Sequence, residues 1–158
     1  MGGGKGVNQI KERISKIKER IAKAAERADR DKDNIKLIAV SKGQDINKMK
    51  AVQEENVVEF GESRVQELRD KYDQLETVTW HMIGHLQRNK VKYLARRERC
   101  QLIHSLDSPR LAKKIDDRGE KAERVMEALV QVNVAKDDNK YGFYPEEVED
   151  FLQQIGEL

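Results

Sequence analysis

The sequence predicts an α/β protein built on a parallel sheet, and three observations carry that prediction. Short apolar segments at 35–40, 57–60, 78–83, 102–106 and 128–134 start at intervals of 21–26 residues. Polar, helix-forming stretches at 46–55, 63–75, 89–97 and 109–119 fill the gaps between them, and another at 145–155 follows the last. The first segment, Ile35-Lys36-Leu37-Ile38-Ala39-Val40, is almost wholly apolar, as a strand covered on both faces must be. Strands alternating with helices at this interval give right-handed βαβ units.

Taken in chain order, residues 1–6 read as a flexible leader. Their glycine–lysine run follows no strand and has the wrong spacing for a phosphate-cradling loop. A first helix is expected over 7–28. There Val7, Ile10, Ile14, Ile17, Ile21, Ala24 and Ala28 step by three and four along one stripe. Glu12 with Lys16, and Glu19 with Lys23, add i,i+4 pairs in the favourable order. This helix is expected to pack against the outside of its own domain. Asp45 marks the start of the next helix, and Ser108 before Pro109 marks another. Gly61 reads as the turn out of the second strand, with Ser63 as the cap of the helix after it.

At 158 residues the chain suits one domain with an ordinary core. Its 31 basic and 29 acidic residues nearly cancel, which excludes a polycationic tail or an acidic solvating protein. No apolar run approaches the roughly 20 residues of a membrane-spanning helix, and no signal-peptide core follows Met1. Cys100 is the single cysteine, so an intramolecular disulfide is impossible, and a cytoplasmic location is expected. A closed barrel of eight βα units takes roughly 200–250 residues, and five units fit here. Five units alone form either an open sheet or a partial barrel with one flank exposed. Uncovered parallel edges invite pairing with a second copy, so a homo-oligomer is a further expectation.

Several residues carry possible chemistry. Lys42 lies at the C-terminal end of the first strand, where α/β folds gather their reactive groups. A partly buried ammonium there would have a lowered pKa and a nucleophilic amine, whereas a snorkelling lysine would not. Glu62, at the end of the second strand, is expected near Lys42, holding its ammonium or orienting an imine. His81 and His85 straddle a strand end and a glycine, which disfavours a shared metal. Cys100 and His104 repeat that spacing and could form a nucleophile pair, or Cys100 could be an inert buried thiol. Arg88, Lys92, Arg96 and Arg99 form a basic stripe that reads as a solvated helix face or a contact for acidic surface; nucleic acid is not the expected partner. Asn133, near the end of the fifth apolar segment, is expected close to the catalytic mouth of a barrel.

Together, LIAVSK (37–42), FGESRVQE (60–67), WHMIGHLQRNK (80–90), HSLDSPRLA (104–112) and VQVNVAKDDNKYG (130–142) resemble the pyridoxal 5′-phosphate (PLP) homeostasis protein family, single-domain relatives of the alanine racemase barrel. The resemblance covers residues 7–158. It implies a partial TIM-type (β/α) barrel, with an N-terminal helix, five parallel βα units and the C-terminal units missing. It also implies a cytoplasmic carrier or regulator of the free cofactor pool, without an established reaction, holding PLP as an imine on Lys42. Ser63, His81 and Asn133 are the implied wall positions around the cofactor. Where the family reads FGEN followed by an aromatic residue, this chain has Ser63 and Arg64, and the shorter hydroxyl side chain weakens one contact near the cofactor ring. The family's phosphate-holding loops, and the arginine facing its pyridine nitrogen, fall beyond Leu158. Hydrogen bonds to a charged group contribute about 1.5–3 kcal/mol each, so losing three or four removes roughly 5–10 kcal/mol of gross interaction. Weak PLP binding is therefore expected.

Two other functions compete. A racemase-like enzyme acting on amino acids would use the same imine but needs two acid/base groups, and no tyrosine here obviously supplies the second. An interaction module would use the basic stripe at 88–99.

Overall fold

The computed structural model describes residues 3–156. Helix α1 (Gly3–Arg27) precedes five strands: β1 (Ile38–Val40), β2 (Glu59–Glu62), β3 (Thr79–Met82), β4 (Cys100–Leu106) and β5 (Glu127–Val130). The remaining helices are α2 (Ile46–Gln53), α3 (Val65–Tyr72), α4 (Val91–Ala95), α5 (Pro109–Glu120) and α6 (Val148–Ile155). Of the leader expected over residues 1–6, Gly3–Gly6 fall in the first turns of α1, and residues 1 and 2 lie outside the described residues.

Every neighbouring strand pair is parallel, and the spatial order is β1-β2-β3-β4-β5. A doubly wound sheet reverses its strand order and lays helices on both faces. Here the order never reverses. Met49 of α2, Leu68 of α3, Leu94 of α4, Leu111 of α5 and Phe151 of α6 all join one core with Phe60, Trp80, Met82 and Ile103 from the sheet. Helices on one side of a sequentially ordered parallel sheet are the arrangement of a (β/α) barrel at partial length. Trp80 and Phe60 anchor this layer, with ring centroids 6.1 Å apart and almost no exposed surface.

The helix starts follow the capping residues. Asp45 accepts from the Lys48 N–H at 3.0 Å, and Ser108 accepts from the Leu111 N–H at 3.3 Å with Pro109 in the first turn. Ser63 does not cap α3. Strand β2 runs on to Glu62, so the cap position moves to Arg64, which makes no side-chain capping bond. For the same reason Gly61 lies within the strand rather than in a turn. A Cβ there would meet the Ile83 and Ile38 side chains at 3.0–3.3 Å.

Helix α1 packs beside α2, with an ion pair from Lys11 to Glu54 at 2.7 Å. The expected Glu19–Lys23 pair forms at 2.6 Å. The apolar stripe is only partly used: Ile14 is buried while Ile17 and Ala24 are exposed, and Ala25, outside the stripe, is buried instead. The fifth strand is shorter than the apolar run suggested, and Val134 is 77 % exposed beyond it.

At the N-terminal edge of the sheet, arginines bind carbonyl groups. Arg99 donates to the carbonyls of Tyr72, Leu75 and Val78 and lies 3.9 Å above the Tyr72 ring. Arg124 donates to the Arg97 and Cys100 carbonyls at 2.7 and 2.9 Å. Arg99 therefore leaves the expected basic stripe, whose other members, Arg88, Lys92 and Arg96, are exposed. Replacing Arg99 with Ala is expected to lower the unfolding free energy by about 2–4 kcal/mol, since charged hydrogen bonds contribute about 1.5–3 kcal/mol each. Arg96→Ala is expected to change it by less than about 0.5 kcal/mol, as surface positions usually do. Urea unfolding of both variants checks the contrast.

Candidate functional site

Parallel strands bring all their C-terminal ends to one edge. Ser41–Gly43 follow β1 there, Ser63 follows β2, Gly84 and His85 follow β3, Asp107 follows β4, and Asn133 follows β5. Lys42 sits in a tight turn closed by the Gln44 N–H bonding to the Ser41 carbonyl at 3.0 Å. Gly43 supplies the positive φ of +68° that this turn requires. The Lys42 side chain is exposed rather than partly buried. The strand ends at Val40, and the turn carries the next residues out of the sheet.

The turn itself is held firmly. Ser41 is 2 % exposed; its N–H bonds the Gly61 carbonyl at 3.0 Å and its hydroxyl donates to Glu62 Oε1 at 2.8 Å. Lys71 Nζ, reaching across from α3, donates to the Ser41 carbonyl at 2.8 Å, to Glu62 Oε1 at 2.6 Å and to Glu67 Oε2 at 3.1 Å. Glu67 Oε2 also accepts from the Gly43 N–H at 2.8 Å. That donor and the Lys71 ammonium hold the Glu67 carboxyl below its usual range. The residues on both sides of Lys42 are thus anchored, and its amine projects from between them. Glu62, expected to face Lys42, instead pairs with Lys71 and is completely buried.

The sheet face away from the helices carries a second polar group. His81, 1 % exposed, bonds Glu59 Oε2 through Nε2 at 2.7 Å and His104 Nε2 through Nδ1 at 2.9 Å. Lys36 lies 3.3 Å from the same Glu59 carboxylate. The short contact between the two rings accommodates one proton. Two imidazolium rings would set N–H against N–H. Burial, and then the proximity of His81, hold the His104 pKa below its usual value. His104 thus pairs with His81, not with Cys100. The Cys100 thiol lies in the core, where burial pushes its pKa up to about 12.

The other expected site residues divide. The Ser63 backbone is packed so closely on Gly84 that a Cβ there would come within 2.3 Å of the Ser63 carbonyl oxygen. His85 turns away from His81, bonding Asp107 at 2.9 Å and stacking on Tyr141 with centroids 3.7 Å apart. Asn133 is 5 % exposed, and its amide is spent on the Asp137 backbone, donating to the carbonyl at 2.8 Å and accepting from the N–H at 3.3 Å. Sequence reasoning missed Ser41, Glu67 and Lys71. The only local signal was the Glu67–Lys71 spacing of four within one helix.

Two outcomes follow from these groups. Lys71→Met strands the buried Glu62 carboxylate, so the chain is expected to lose about 3–5 kcal/mol of stability, with part recovered when Glu62→Gln is added; denaturant melts measure both. His104, with its folded pKa depressed, gives a pH-dependent stability. Above about pH 6.5 both folded and unfolded states hold it neutral and its contribution is complete. As pH falls, the unfolded chain takes up the proton first, so stability is lost through the folded pKa. Urea midpoints at pH 7.5 and 5.5 should show this fall, and His104→Gln should reduce it.

A family model, the alanine racemase N-terminal domain, matches residues 13–158. The chain is 40 % identical over 149 residues to the pyridoxal phosphate homeostasis protein of Aquifex aeolicus, an alignment covering 93 % of this chain and 64 % of that one. Over its whole length it superposes on a crystal structure of an unknown protein from Bifidobacterium adolescentis, with a TM-score of 0.85, 28 % identity and 68 % of that chain covered. It also resembles PipY, the COG0325 family member of Synechococcus elongatus, in its structure with PLP bound, with a TM-score of 0.69, 29 % identity, and 90 % and 65 % of the two chains covered. The chain thus spans about two thirds of the length of these relatives. A sequential parallel sheet with an exposed lysine just past its first strand, together with these likenesses, shows that the chain belongs to the alanine racemase N-terminal domain family, among relatives that include the pyridoxal phosphate homeostasis proteins.

Proposed function

We propose that this chain binds PLP as an imine on Lys42 and serves PLP homeostasis rather than a catalysed transformation. The observation that carries the reading is the anchored turn. Ser41 and Gly43 are fixed by Glu62, Lys71 and Glu67, so the amine between them is offered from a defined point at the C-terminal edge of the sheet. An unprotonated Lys42 Nζ adds to the cofactor aldehyde and one water leaves, which needs no second reactive group. The likeness to a protein solved with PLP bound supports the same ligand here.

Ser63 and Asn133 share the edge with Lys42, and each is a proposed wall of the cofactor site within the domain of residues 7–158. With the Asn133 amide engaged by its own loop, that wall is a shape contact rather than a hydrogen bond. His81, buried between Glu59 and His104, positions His104 rather than meeting the cofactor directly. Residues 1–158 by themselves are proposed to bind PLP weakly, because the resemblance places the phosphate-holding loops outside this stretch.

Borohydride reduction of a PLP mixture followed by peptide mapping tests the reading. The reduced adduct is expected mainly on Lys42 and is expected to disappear from that peptide in Lys42→Ala, with a half-saturation well above micromolar. Equal labelling of the exposed lysines would overturn the assignment.

A further inference from the structure

We propose that the pocket between the start of α3 and α4, beside the ends of β2 and β3, is a second binding site, which takes the phosphate group of a small molecule. The pocket has a volume of about 290 Å³ and is lined by Arg64, Gln66 and Arg69 on one side and His85, Lys90 and Tyr93 on the other, and Ser63, a proposed wall of the cofactor site, also borders it. This site does not depend on the chemistry of Lys42.

Charge is the first argument. The Arg69 guanidinium lies 4.4 Å from the Tyr93 ring centroid, with the Lys92 and Lys90 ammonium groups at 5.0 and 5.9 Å. Three cations gathered around one ring repel one another, and the ring quadrupole offsets only part of this. Among the described residues, none of Arg64, Arg69, Lys90 and Lys92 forms an ion pair with a carboxylate. Of the two nearby acids, Glu67 bonds Gly43 and Lys71 and also feels the Arg64 charge, and exposed Asp70 accepts from the amide of Gln66 in the pocket lining, so the positive charge is offset only in part.

Unused donors are the second argument. The Arg69 guanidinium makes one long side-chain bond, to Gln66 at 3.3 Å, so its terminal N–H groups are otherwise unpaired; its Nε is buried and does not reach the pocket. Helix α3 opens on this pocket without a side-chain cap, leaving first-turn N–H groups for an oxyanion. Cations from two chain segments and free backbone donors at one cavity are the elements that phosphate recognition needs.

Size and shape select the class of ligand. The volume lies at the bottom of the usual 300–1,000 Å³ for small-molecule pockets. Of the two aromatic rings in the lining, Tyr93 is crowded by cations and His85 is already stacked on Tyr141, so no platform remains for stacking successive bases. A compact phosphate or phosphate monoester fits where a nucleic-acid strand does not.

Calorimetric titrations with inorganic phosphate and with pyridoxine 5′-phosphate, which has the ester but no aldehyde, test the site at constant ionic strength. Saturable binding of either is expected, and the pair separates free phosphate from an ester as the source. The double variant Arg69→Gln with Lys90→Gln is expected to weaken binding at least about tenfold, the worth of one lost charged contact. Arg64→Gln alone, at an exposed position whose side chain makes no capping bond, is expected to weaken it several-fold. Lys42→Ala is expected to leave it unchanged. No saturable binding of either probe, or equal binding by wild type and Arg64→Gln, would overturn the proposal. So would loss of binding in Lys42→Ala.

Discussion

Lys71 carries its ammonium from the last turn of α3 to a point where three acceptors converge: the Ser41 carbonyl, Glu62 Oε1 and Glu67 Oε2. Two of those acceptors are buried, so the charge is compensated inside the protein rather than by water. The same cluster fixes Gly43 through Glu67 and the Ser41 hydroxyl through Glu62. One buried ion pair thereby joins the first two βα units and sets the path of the turn that holds Lys42. A hydrophobic replacement of equal volume can match its contribution to stability but cannot reproduce three directional bonds to that turn.

The strand count and alternation were legible because a strand between covered layers must be apolar over its whole length. Ile38–Val40 has that character, β3 keeps it at Trp80 and Met82 on either side of the polar His81, and the helices between carry polar outer faces. Boundaries were less legible where apolar character and strand geometry separate. Val132 and Val134 look like strand residues, but β5 ends at Val130 and Val132 makes only an isolated bridge to Phe143. Two residues were likewise misread at β2, whose register against β3 continues through Glu62. A fully buried glutamate has no apolar signature, so the sequence made Phe60 look like the end of the strand.

The site shows the same division. Lys42 stands out by position, because any residue just past a parallel strand reaches the functional edge. Its supporting residues do not stand out. Lys71 is nine residues beyond Glu62, and only the packing of α3 against the sheet brings them together. Glu59, His81 and His104 lie on three different strands, and their contact depends on the parallel registers of β2, β3 and β4. Periodicity reports which face a residue occupies, and it carries no information about which strand lies alongside.

The two lysines near the β1 turn have opposite chemistry for reasons visible in their contacts. Lys71 has all three ammonium hydrogens directed at oxygen acceptors, and its nitrogen offers no lone pair to an incoming carbonyl without breaking that set. Lys42 is exposed, with its backbone fixed and its side chain free. Burial is commonly taken to activate a lysine, yet here the buried one is structural and the exposed one is available. The imine proposed on Lys42 needs access and a constant position more than it needs desolvation. The turn at Ser41–Gly43 provides both.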